Sequence, residues 1–219
     1  ELSRLVQSVQ DKFRTIRFSV VSELDPVNFR PLDVLLIMMI EVAQQTAKVV
    51  EPPPARLQEI WDWFAQDKET RERVTSATTQ IEAGAGVKDD SLWAKVSLLF
   101  ASLRGELKFA ATRKTEVVDY RLSRLNDLIE IANRLLDDCN QLLRDADRQE
   151  WLFIGEDFDK TSVPTARVEE LFLAYSHIFR DLRTHLIFTV PIGLYYSDKA
   201  AQLPFEKNCS LIIPDTPVY

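Results

Sequence analysis

Trp151-Leu152-Phe153-Ile154 is an unbroken apolar run, and within the next five positions it meets three carboxylates, Glu156, Asp157 and Asp159. A strand that alternated apolar and polar residues could lie with one face in water. A continuous apolar strand must be covered on both faces, which predicts a parallel sheet sandwiched between helices. Burying the acids at its tip without a counter-charge would be costly. Carboxylates at the carboxyl end of such a strand therefore suggest a bound hard cation.

Other segments fit the same α/β plan. Residues 2–13 place Leu2, Leu5, Val6, Val9 and Phe13 on one helical face. Ile16 to Val21 is short and β-rich, and a two-proline loop leads from it to a helix over Leu32–Val49 that is apolar nearly all round. After the acids come a helix over Val168–Leu182, a strand over Leu186–Pro191 and a last short strand, Ser210–Ile213. The 219 residues carry 46% hydrophobic side chains and a net charge of −7, as expected of a soluble globular chain. That acidic balance argues against sequence-independent nucleic-acid binding. The longest apolar run, Val34–Ile40, is far short of the ~20 residues a membrane span needs. Cys139 and Cys209 have no metal-ligand spacing and read as reduced thiols, which places the protein in the cytoplasm as an expectation.

Between residues 51 and 149 the α/β pattern is interrupted. Pro52-Pro53-Pro54 breaks the chain, Leu57, Ile60, Trp61 and Phe64 define a helix, and Ala83–Gly86 is a flexible point. Two amphipathic helices follow, over Ser91–Lys114 and over Thr115–Gln149. The second contains neither Gly nor Pro and would run roughly 50 Å at 1.5 Å per residue. The preceding helix is its natural partner, so 51–149 reads as an all-helical insertion with a long hairpin. Residues 1–50 and 150–219 then form one interrupted α/β core.

The segment Trp151–Lys160 resembles the Walker B strand of a P-loop ATPase, in the acid-Asp-apolar-Asp-Lys variant of AAA+ and STAND-type proteins (signal-transduction ATPases with numerous domains). The first acid there is usually Asp, whereas this chain has Glu156. The resemblance implies a partial P-loop core of three layers that binds and hydrolyses Mg²⁺-ATP. Glu156 is then the metal-side acid and Asp157 the acid that activates water, with Asp157 and Asp159 as the other possible pair. Thr189, at the end of the next strand, is similar to the polar tip of the sensor-1 strand. No Gly-x₄-Gly-Lys-Ser/Thr occurs in the chain. The resemblance places that loop just before Glu1 and a helical lid beyond Tyr219, so these residues alone are expected to be inactive. It also implies that Leu186–Val190 and Ser210–Ile213 are parallel but separated by one absent strand.

The acids could cap the following helix or face water. Gly84-Ala85-Gly86-Val87-Lys88 lacks phosphate-loop spacing and reads as a turn. His177 and His185 have no accompanying ligand pattern. Arg113, Lys114, Arg121 and Arg124 could supply an arginine finger or simply form a solvated helix face. The four tryptophans read as core. The competing functional class is a non-catalytic scaffold, a degenerate nucleotide fold whose helical hairpin recruits a protein partner or a second copy.

Overall fold

The computed structural model describes residues 2–67, 70–72, 75 and 91–205. Three parallel strands, β1 (Phe13–Ser19), β2 (Glu150–Glu156) and β3 (His185–Phe188), form a sheet in the order β1-β2-β3. The register pairs Ser19 with Glu156 and Gly155 with Phe188, so all three strands end along one edge. Five consecutive residues of β2, Trp151 to Gly155, are buried, as the continuous apolar run predicts. β3 is only half-buried, and among the described residues no strand pairs with its other edge. Ser210–Ile213 and Gly84–Lys88 lie outside the described residues, as does Cys209.

Helices α1 (Leu2–Val9) and α2 (Val20–Glu23) flank β1, and α3 (Pro31–Ala47) follows. α3 starts on Pro31, whose missing N–H costs nothing in a first turn. Almost all its apolar residues from Leu32 to Ala43 are buried, which its all-round hydrophobicity requires. The next helices are α4 (Pro54–Ala65), α5 (Leu92–Lys108), α6 (Thr115–Ser123) and α7 (Leu125–Asp147), with a 3₁₀ turn at Ala110–Thr112.

The helix expected over Thr115–Gln149 is therefore two helices. It breaks at Arg124 (φ −113°, ψ 19°) without Pro or Gly, where the Arg124 guanidinium lies 4.9 Å from the Trp63 ring centre and donates to the Trp63 carbonyl. The main partners of α7 are α3, β2 and α4, so it serves as a layer on the sheet instead of one arm of a hairpin. Its two buried asparagines show this directly. Asn140 accepts from the Trp151 amide at 2.7 Å, and Asn133 binds the Asp181 carbonyl and the Arg183 amide ahead of β3. Buried amides satisfied in this way fix the helix against specific strand starts. The helix expected over 168–182 is likewise divided, into α8 (Thr165–Glu169), a π turn (Glu170–Ala174) and α9 (His177–Asp181).

One ion pair ties the helical segment to the rest. Asp33, fully buried in the first turn of α3, receives Arg113 Nη1 at 2.5 Å and Nη2 at 2.6 Å, and the Arg30 amide at 2.7 Å. Burial is the largest influence and leaves the Asp33 carboxyl above its ordinary value, although the guanidinium bonds pull it down. Desolvation would lower Arg113, yet the same bonds hold it above its ordinary value. The bidentate geometry decides for the charged pair. Nearby, Asp25 receives the Ala111 amide, and its own amide donates to Leu107. A second cluster joins α4, α5 and α6: Arg121, almost wholly buried, reaches Asp67, Thr70 and Glu106. The arginines read as finger candidates are thus built into the interior. The four tryptophans are core or packed on it. Cys139 is a buried thiol pushed up to about 11 by desolvation, which makes it unreactive.

Two outcomes follow for stability. Asp33→Ala strands the Arg113 charge in the interior and should cost about 3–5 kcal/mol in urea unfolding. For Asp67, burial raises the carboxyl, but bonds from Thr70 and Arg121 win and hold it below its usual value of 3.8. A depressed carboxylate contributes stability above its unfolded pKa and loses it as pH falls through the folded one. Unfolding midpoints should therefore fall below pH 4, and Asp67→Asn should flatten that slope.

Candidate functional site

The carboxyl edge of the sheet gathers polar groups from all three strands. Ser19 ends β1, and its Oγ donates to Asp157 Oδ2 at 2.5 Å while accepting the Val21 and Ser22 amides as the N-cap of α2. On the other side, the Asp157 amide donates to Thr189 Oγ1 at 3.0 Å, just beyond β3. The Thr189 amide in turn donates to the Gly155 carbonyl. Asp157 therefore lies between hydroxyls from the ends of both neighbouring strands. Its backbone turns there into the left-handed region (φ 68°), which Asp tolerates better than most residues.

Hydrophobic packing fixes that turn from below. Phe158, fully buried, meets Phe29, Phe172 and Phe188 edge-on at ring distances of 5.4–6.1 Å. Gly155 is required by the same cluster. A Cβ there would stand 2.4 Å from Phe188 Cδ1 and 3.0 Å from the Phe18 ring. The aromatic side chains thus press against the β2 backbone one turn below the acid, and Thr189 follows directly on Phe188.

Glu156 has a different environment. Its side chain is 20% exposed, and Oε1 receives Arg17 Nε at 2.8 Å and Nη2 at 2.5 Å. Asp159 and Lys160 are exposed, and the bonds that join the strand ends involve neither. So the structure brings together Asp157, Thr189 and Glu156 from the residues singled out in sequence, and it leaves Asp159 outside that arrangement. Ser19 and Arg17 were missed. Their signal was the polar alternation Ile16-Arg17-Phe18-Ser19 inside a strand read only as buried. The histidines do other work: His177 lies beside Tyr175, and His185, at the opposite end of β3, rests on Phe13 and bonds Glu150.

Chemically the edge offers two carboxylates, Glu156 and Asp157, as hard oxygen donors, while the Ser19 and Thr189 hydroxyls are engaged with Asp157 and its neighbours. Among the described residues no group of three or more His, Cys, Asp or Glu could hold a metal by itself. Among the described residues no helix is long and apolar enough to cross a membrane.

Compared with protein-family models, curated proteins and solved structures, the chain finds no match. The mixed α/β architecture with a three-stranded parallel sheet stands on its own geometry.

Gly155→Ala tests the packing that holds this edge. Displacing the Phe188 ring should cost about 1–3 kcal/mol in denaturant unfolding. Because Thr189 follows Phe188, the Asp157 amide should also exchange with deuterium faster than in the parent.

Proposed function

We propose that this chain is part of the core of an AAA+/STAND-like P-loop ATPase, with Mg²⁺-ATP bound at the carboxyl edge of the sheet. The observation that carries the reading is Asp157, an acid at the end of a buried central strand, held between Ser19 and Thr189 from the strands on either side. Ligands of open parallel sheets bind outside the carboxyl ends of the strands, which is where these groups converge. The chain itself carries no phosphate-loop motif, so the reading rests on the acidic strand end.

In this reading Asp157 accepts a hydrogen bond from the attacking water and orients it in line with the γ-phosphate. Ser19 holds that carboxylate in place before substrate arrives. Thr189 supports the Asp157 backbone and presents its hydroxyl towards the reacting end. Glu156 contributes negative charge on the metal side. Mg²⁺, when bound with the nucleotide, neutralises developing charge on the phosphate oxygens. The interior position of Arg113 and Arg121 removes them as fingers to a neighbouring nucleotide.

Asp157→Asn keeps a residue that enters the left-handed region and removes only the charge. In the full-length protein it should reduce the ATP hydrolysis rate by about 10²–10⁴-fold while nucleotide binding in Mg²⁺ persists. Full hydrolysis in the variant would remove Asp157 from this role. If the parent binds no nucleotide, the scaffold reading takes its place, with the exposed Phe109 and Tyr120 of the helical segment as its contact candidates.

A further inference from the structure

Three phenylalanines close a triangle under the strand ends. Phe158 meets Phe172 at 5.4 Å and Phe188 at 5.7 Å, and Phe172 meets Phe188 at 5.3 Å, all edge-on. Two corners are covalent neighbours of the polar edge: Phe158 follows Asp157, and Phe188 precedes Thr189. The third, fully buried Phe172, comes from the π turn. There the Tyr175 amide donates to the Glu170 carbonyl, and turns of this kind are frequent at functional sites. Glu170 fixes the start of the turn, accepting Arg30 Nη1 at 2.9 Å and Arg167 Nη1 at 2.7 Å. Arg30 adjoins Phe29, so the turn is tied to another ring that meets Phe158. The left-handed backbone of Asp157 is a strained conformation that persists only where its surroundings over-determine it. The rings packed on Phe158 supply that constraint.

We propose that Phe172 is a positioning residue for the strand-end site: as the third corner of the triangle it sets the spacing of the Asp157 turn and the Thr189 tip, and through them the rate of the chemical step. Its effect on hydrolysis rests on the ATP reading of this edge, whereas its geometric part concerns only the bond from the Asp157 amide to Thr189 Oγ1. Phe172 has no polar side-chain atom, so it acts on the chemistry through Phe158 and Phe188. A smaller side chain there leaves space into which either ring can tilt, and the two strand ends then move independently. Misplacing a reacting group by about 1 Å costs up to about 10²-fold in rate. A loss confined to the transition state falls on kcat and leaves KM unchanged.

The test compares, in the full-length protein, Phe172→Leu with Phe64→Leu, which removes another buried ring, on α4. Phe172→Leu should lower kcat for ATP hydrolysis about tenfold with KM unchanged. It should also speed deuterium exchange at the Asp157 amide about tenfold relative to the amides of α3. Phe64→Leu should do neither. Exchange at Asp157 no faster in Phe172→Leu than in Phe64→Leu overturns the positioning role, whether or not the protein hydrolyses ATP. Faster exchange with kcat unchanged, or a kcat that falls equally in both variants, overturns the effect on the chemical step and leaves the ATP site standing. A parent that neither binds nor hydrolyses ATP overturns the ATP reading, and the effect on hydrolysis with it. If Phe172→Leu loses its far-UV circular dichroism, Phe172→Met, whose flexible thioether packs well on rings, is measured in its place against the same outcomes.

Discussion

Asp33 is fully buried, and the bonds its carboxyl accepts from Arg30 and Arg113 join the start of α3 to the helical segment. Its oxygens hold the first turn of α3 through the Arg30 amide and bind the Arg113 guanidinium that enters from the helical segment. α3 packs on α7 and β1, so fixing its start fixes the layer behind the sheet. Just upstream, Phe29 closes on Phe158, the residue after Asp157. A buried charge pair is weak evidence for net stability, but losing one partner is costly. Here it ties the first turn of α3 to the 3₁₀ turn region of the helical segment. The acidic turn is therefore built on the same interior that joins the helical segment to the strands.

The helical segment is correspondingly close to the site. Lys108 donates to the Ser22 carbonyl and Arg104 reaches Glu23 and Glu41, so the end of α5 grips the short helix that Ser19 caps. Contacts of α7 with β2 and α3 make it part of the layered core. An insertion that moved as a detached arm would have to break these bonds. For an ATPase of the proposed kind, a change at the Ser19–Asp157 bond and a change at α5 are separated only by one short helix.

Much of this was legible in the sequence, and the failures have physical causes. β2 and its acids could be read because five successive buried residues ending in carboxylates have few other solutions. Thr189 was reachable because a strand tip follows from local pattern. Ser19 and Arg17 were not, since their significance depends on pairing with residues about 138 positions away, as the Ser19–Asp157 separation shows. The break at Arg124 was also hidden. No local signal interrupts that helix, and the break coincides with a cation resting on Trp63, 61 positions upstream. Arg113 and Arg121 looked like surface charges because sequence alone cannot show that Asp33, Asp67 and Glu106 wait for them inside.

The central claim is that the ends of β2 and β3 face a nucleotide. An experimental structure of the full-length protein with Mg²⁺ and a non-hydrolysable ATP analogue measures this directly. The triphosphate and Mg²⁺ should lie beside Asp157 and Thr189, with a further parallel strand beside β3. Nucleotide bound away from these strand ends would contradict the proposed function.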